Sequence, residues 1–193
     1  VAETDRTATE RPSQLADENA LLRASLAQMR ERVDELEQAA DLDTLTPLPN
    51  RRGFLRELER AVGQAERHGT PAALLHIELS NLAAINGGHG QVAGDAALIH
   101  MAKLLGGLIR STDALARIDG DAFGLILDHL DHNSAIETAD RLFRCIAGSP
   151  LDLGSATVAL HATIGIATIL PGDTVDDVVR RAEHTLRAAR EEA

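Results

Sequence analysis

Cysteine is almost missing from this 193-residue chain, which has only Cys145. A single thiol excludes a disulfide framework and a cysteine-based zinc site, and it suits a reduced, cytosolic compartment. There is no Trp and no Tyr, and aromatics total 2%. With 44% hydrophobic residues, the core must be aliphatic, built from Leu, Ile, Val and Ala. Bases are outnumbered, 19 Lys and Arg against 30 Asp and Glu, for a formal net charge of −11. A general nucleic-acid binder needs a basic face to displace counterions, so no nucleic-acid partner is expected. A small anionic ligand remains compatible, because a local arginine cluster can hold one against the global sign. No apolar run is long enough to span a bilayer, and no signal peptide is visible. The chain begins at Val1 rather than Met, which fits a fragment or a processed chain with room for an adjacent signalling domain.

What is present reads as one domain with an appendage. Residues 1–13 are polar and aperiodic, and are expected to be a disordered lead-in. Residues 14–41 carry a heptad pattern. Leu15, Leu22, Met29 and Leu36 fall at d, and Asn19, Leu26, Val33 and Ala40 at a. Leu at d, with a β-branched residue and one Asn at a, favours a parallel two-stranded coil. Glu18 can then reach Arg23 of the partner helix, and Arg32 can reach Glu37. A homodimer through residues 15–40 is the expectation. The alternative is one amphipathic helix packed on its own domain, but so narrow a seam suits a coil better.

Pro47 and Pro49 end that helix. A new helix is expected from an Asn50 N-cap to about His68, then a strand over 72–79 and a short helical piece over 80–86. Gly87, Gly88 and Gly90 read as a mobile loop before a helix over 93–109. Strands over 113–118 and 122–128 meet at Asp119-Gly120, a hairpin dipeptide that suits φ > 0. A helix over 133–147, strand over 156–168 and a helix over 174–190 complete an α/β sandwich around a mixed sheet. His76 reads as a packed or edge strand residue. His89, His129 and His132 read as exposed loop residues, Phe123 as core, and Cys145 as a buried small hydrophobe.

Several stretches in order carry a resemblance: "DTLTPLPNRR" at 43–52, "INGGHGQVAGDAAL" at 85–98, "DGDAF" at 119–123, "ATIGIA" at 162–167 and "RAEHTLRAAR" at 181–190. Together they resemble the GGDEF family, the diguanylate cyclase domains of bacteria, over about residues 41–190. The resemblance implies an α+β, cyclase-palm, ferredoxin-like fold over 42–193. Its central sheet would be mostly antiparallel and flanked by helices, and the coil would resemble the signalling helices that drive such domains into dimers.

In that family two GTP-loaded domains face each other and condense GTP into cyclic di-GMP, with acidic groups holding divalent metal. Carried over by position, the first-strand metal acid is Glu78, one methylene longer than the usual aspartate. The next acidic position is Ser80, and the phosphate-side lysine is Ala83. The guanine-reading pair is kept as Asn86 and Asp95. The signature reads Asp119, Gly120, Asp121, Ala122, Phe123. Its first glycine is an aspartate, which puts bulk and charge beside an anionic ligand. Asp121 keeps the third-position acid, whereas Ala122 replaces the glutamate that activity needs. The triphosphate-binding lysine is Arg190. Glu78 and Asp121 are therefore remnants that could still hold metal, while in-line attack tolerates misplacement poorly.

Arg110 and Asp113 form an R-x-x-D at the spacing of the family's inhibitory cyclic di-GMP site, and Arg141 falls where a third arginine is supplied. An arginine fork can bind the Hoogsteen edge of guanine while a carboxylate accepts from its Watson–Crick N–H groups. Arg117 falls at an arginine that pairs with the linker aspartate, here Asp43. The resulting expectation is a degenerate, non-catalytic, dimeric GGDEF module that senses cyclic di-GMP. It needs no cofactor. The alternatives are a GTP-binding regulatory domain using Asn86, Asp95, Gly120, Asp121 and Arg190, with Mg2+ only if GTP binds, for example controlling a phosphodiesterase-type partner domain. A weakly active cyclase and a pure dimerisation scaffold are the others.

Overall fold

The computed structural model describes residues 19–30, 32, 40–154 and 156–191. The chain divides into two units, Val1–Ala40 and Asp41–Ala193. In the first, residues 19–30 form a helix, α1, on which Leu22, Leu26 and Met29 are exposed. The lead-in over 1–13 and the heptad residues Leu15, Val33 and Leu36 lie outside the described residues.

The second unit opens with a linker folded back on itself. Leu42 and Pro49 form an isolated antiparallel bridge, and the Asn50 amide donates to the Asp41 carbonyl. Asn50 then caps α2 (Arg51–His68), its side chain accepting from the amides of Arg52 and Gly53. Gly69, at φ 62°, closes the helix in the left-handed region. The remaining elements are β1 (Ala72–Leu79), α3 (Leu82–His89), α4 (Gln91–Leu108), β2 (Ala114–Arg117), β3 (Ala122–Asp128), α5 (His132–Ala147), β4 (Leu151–Asp152), β5 (Thr157–Val158), β6 (Ala162–Ile169) and α6 (Val175–Glu191).

The main sheet has the order β2-β3-β1-β6, and every neighbouring pair is antiparallel. Alternation along β1 separates two aliphatic layers. Ala73, Leu75, Ile77 and Leu79 belong to a core with α4 and α5 residues such as Met101, Leu105, Leu142 and Ile146. Ala72 and Leu74 belong to the opposite core, with Phe54 and Leu58 of α2 and Val178 and Ala182 of α6. Phe123 is fully buried, as expected.

One row across the sheet is lined by small residues. Ala116, Gly124, His76 and Gly165 stand opposite one another in register. A Cβ at Gly124 would meet the Phe54 ring, and one at Gly165 would meet the α6 backbone at Ala182. The two glycines let α2 and α6 close onto the sheet. His76 is the large polar member of that row. Its burial pulls the imidazole pKa below its ordinary value, against the opposing pull of Glu183.

Several expectations are corrected. Gly87 and Gly88 are helical, because α3 runs on to His89 and turns into α4 at Gly90 alone (φ 84°). Asp119 and Gly120 are not in the left-handed region. Their connection spans four residues and is closed by Ile118 and Asp119 amides on the Ala122 carbonyl, so a two-residue turn is not required. The strand over 156–168 splits. β5 pairs with β4 in a separate two-stranded ribbon, and only β6 joins the sheet, which is antiparallel rather than mixed. His89 and His132 sit at helix ends rather than in loops. Cys145 is half-buried rather than buried.

Candidate functional site

Two cavities in the second unit gather six of the nine site residues singled out by sequence: Glu78, Asp121 and Arg190 in one, and Arg110, Asp113 and Arg141 in the other. The first, about 330 Å³, lies where β1 and the β2–β3 hairpin meet α6. Glu78 and Asp121 both line it, with Asp119, Ala122 and Arg190. Glu78 stands directly opposite Ala122 across the β1–β3 pair, so an acid at 122 would have stood beside it. Instead Glu78 is ion-paired to Arg190. Among the described residues no group of three or more His, Cys, Asp or Glu side chains could hold a metal ion. Four carboxylates line the cavity, those of Glu78, Asp119, Asp121 and Glu183, but Glu78 is engaged by a guanidinium and no three of them converge, so they do not fit a metal centre supplied by protein alone.

Asp119 turns inward on its own loop, accepting from the Gly120 amide at 2.8 Å. Gly120 needs no glycine for packing, since an added Cβ would meet nothing within 4 Å. Asn86 and Asp95 lie on α3 and α4, outside the lining of this cavity. The Asn86 Oδ1 is buried without a hydrogen-bond partner, over Gly94, where a Cβ would collide with it. His76, Arg51, Glu183 and Arg187 also line the cavity and were not assigned to it by sequence. Their signal was weak, because it depends on α2 and α6 crossing the same sheet face.

The second cavity, about 540 Å³, lies between the end of α4, the start of β2 and one face of α5. Arg110, Asp113 and Arg141 all line it, so the structure brings the R-x-x-D and the third arginine together. Asp113 is held firmly. Its two oxygens accept from the Arg110 amide at 2.9 Å and the Asp128 amide at 3.3 Å. Arg141 donates to the Leu108 carbonyl at the end of α4, 3.3 Å away. His129, Ser134, Glu137, Thr138 and Arg144 complete much of the lining, and sequence reasoning missed them. Extending the helical spacing from Arg141 in both directions would have found the α5 members.

The hairpin is tied to the linker as expected. Arg117 Nη1 binds both Asp43 oxygens at 3.1 and 3.3 Å, and its Nε and Nη2 donate to the Gly120 carbonyl. Asp43 also accepts from the Thr46 hydroxyl and amide, both at 2.7 Å.

An antiparallel β2-β3-β1-β6 sheet with helices on both faces, and an Asp-Gly-Asp hairpin beside a first-strand acid, define a nucleotide-cyclase type of domain. Residues 40–193 match the family described as "Diguanylate cyclase, GGDEF domain", and the chain belongs to that family. It is 35% identical over 161 residues to the bifunctional diguanylate cyclase/cyclic di-GMP phosphodiesterase MucR of Pseudomonas aeruginosa, covering 83% of this chain and 23% of that protein. It is 33% identical over 189 residues to diguanylate cyclase TpbB of the same organism, covering 94% of this chain and 43% of that protein. The chain therefore spans less than half the length of these curated relatives. Among solved structures it resembles the coiled coil and GGDEF domain of DgcB from Caulobacter crescentus in complex with c-di-GMP. That match has a TM-score of 0.78 at 26% identity and covers 94% of each chain. Among the described residues no helix is long and apolar enough to cross a membrane.

Proposed function

We propose that this chain is a non-catalytic GGDEF module that senses cyclic di-GMP at Arg110, Asp113 and Arg141 and works as a dimer through residues 15–40. The observation that carries the reading is the contrast between the cavities. The larger gathers all three of those residues around a carboxylate already oriented by two backbone amides. The smaller has Ala122 where an acid would flank Glu78, and Glu78 is closed by Arg190. The similar DgcB structure, which contains c-di-GMP, supports the ligand class. In this reading the ligand reorients or cross-links domains and the coil carries the change toward a neighbouring domain.

Two observations favour a second reading. The unpaired Asn86 Oδ1 and the arginines around the smaller cavity suit a GTP-binding regulatory domain, with Mg2+ arriving on the nucleotide. Calorimetric titration with cyclic di-GMP and, separately, with GTP and magnesium separates the two. Micromolar or tighter cyclic di-GMP binding that Arg110→Ala abolishes is the expected result. GTP bound and unconsumed, with no response to cyclic di-GMP, replaces sensing by the regulatory module. Conversion of GTP to cyclic di-GMP would make the chain a weak cyclase, and silence toward both ligands a scaffold.

A further inference from the structure

The larger cavity holds more positive charge than reading one guanine edge requires. Three guanidinium groups, those of Arg110, Arg141 and Arg144, line it against the carboxylates of Asp113 and Glu137, in a chain whose net charge is −11. Their engagements differ. Arg141 is spent in part on the Leu108 carbonyl. The Arg144 side chain lines the cavity and makes no hydrogen bond or ion pair with the described residues. Ser134, Thr138 and Arg141 recur at intervals of four and three along α5, and Glu137, Arg141 and Arg144 likewise, so all face one groove. Arg144 stands one turn beyond Arg141, about 5 Å further along the helix axis. Two guanidiniums so spaced repel each other unless an anion lies between them.

We propose that Arg144 is a further ligand-binding residue of this cavity, acting as a clamp on a phosphodiester group of the bound cyclic dinucleotide. The inference rests on the sensing reading above. Arg110 and Asp113 are the pair suited to a guanine edge, which carries no formal charge. The two phosphodiesters of the ligand carry its negative charge and need a separate partner. A guanidinium with no protein partner, next to one already anchored, supplies it. The other role open to Arg144 is complementing the α5 dipole, since it lies in the last turn. That role would change helix stability but not ligand affinity.

The test is calorimetric titration of the whole chain with cyclic di-GMP, for the unaltered protein, Arg110→Ala, Arg144→Ala and Arg144→Lys, at about 0.05 M and about 0.3 M salt. Loss of one charge-assisted contact predicts about tenfold weaker binding for Arg144→Ala. The fall in affinity between the two salt concentrations should also be smaller in that variant, because one ionic contact is gone. Arg144→Lys should recover most of the affinity, since a phosphate accepts a point charge. Because Arg144 is exposed, the folded state should survive both changes, with circular dichroism as the check. If Arg110→Ala abolishes binding while Arg144→Ala stays within about twofold of the unaltered protein, with the same salt dependence, the clamp is overturned and the sensing site stands. If the unaltered protein takes up no cyclic di-GMP, the sensing reading falls and the clamp falls with it.

Discussion

Asp43 is a single carboxylate on which the linker and the signature hairpin both depend. Burial alone would raise its pKa. The Thr46 hydroxyl and amide and the Arg117 guanidinium more than offset that, and the net result is a pKa below the ordinary aspartate value. A depressed folded-state pKa contributes stability that is present above about pH 4 and is lost as pH falls through the folded value. Asp43→Asn should therefore lower Tm by a few degrees at pH 7, about 1 kcal/mol for a chain of this size. The gap between the two proteins should begin to close below about pH 4 and go on closing as pH falls through the folded value. Thermal melts across that range check it, and a gap of constant size would mean that the charge on Asp43 contributes nothing. Asp173 is lowered in the same direction, mainly by its hydrogen bonds from Arg181, so the variant keeps some acid sensitivity of its own.

Residue-scale roles of this kind were readable only through the family resemblance. Nothing in the spacing of Asp43 and Arg117, 74 positions apart, implies a contact. The small-residue row through His76 was less readable still. It exists because β1 pairs with β3 on one side and β6 on the other, and each happens to place a glycine opposite His76.

Among the elements, α1 is the one whose exposed apolar residues follow the heptad pattern. Leu22, Leu26 and Met29 are 63%, 49% and 61% exposed, an apolar seam that a parallel partner helix would cover. Replacing Leu22 and Leu36 together by lysine puts charge at two d positions and should yield a monomer in sedimentation velocity. A variant that still sediments as a dimer would move the interface to another surface. The linker prolines and the Asn50 cap were legible because local chemistry sets them. The hairpin falls where expected, but its Asp119-Gly120 pair does not take the left-handed backbone that the turn reading assumed. The helix over Gly87 and Gly88 was not. Glycine is a poor helix former taken alone, yet α3 packs along α4, and tertiary contact overrides local propensity. The short ribbon of β4 and β5 was missed for a related reason, since two-residue strands have no periodicity to read.

For the whole domain, the two cavities both touch β3 but share no lining residue, so each can be altered by substitutions that leave the other's lining unchanged. The smaller is formed by β1, the hairpin, α6 and the start of α2, the larger by the α4–β2 loop, the end of β3, the loop after it and α5. Restoring the signature with Asp119→Gly and Ala122→Glu would remove one charge from the loop and place a second carboxylate opposite Glu78. That new acid would compete for Arg190 and supply the missing metal donor. GTP affinity in the presence of magnesium should rise about tenfold in calorimetry, with cyclic di-GMP binding unchanged. An unchanged GTP affinity would show that Ala83 or Ser80 had already removed what the pocket needs.

By itself, the sequence determined the aliphatic character of the core, the heptad seam, the order of most helices and strands, and the residues that depart from the family pattern. These are local or compositional properties, set by side-chain chemistry and by spacing along the chain. The tertiary structure alone decided that Arg190 closes onto Glu78 and that Ala122 rather than an acid faces it. Each of those depends on strand register or on how a helix lies across a sheet. Such distances between remote residues are set by packing and leave no mark in the local sequence.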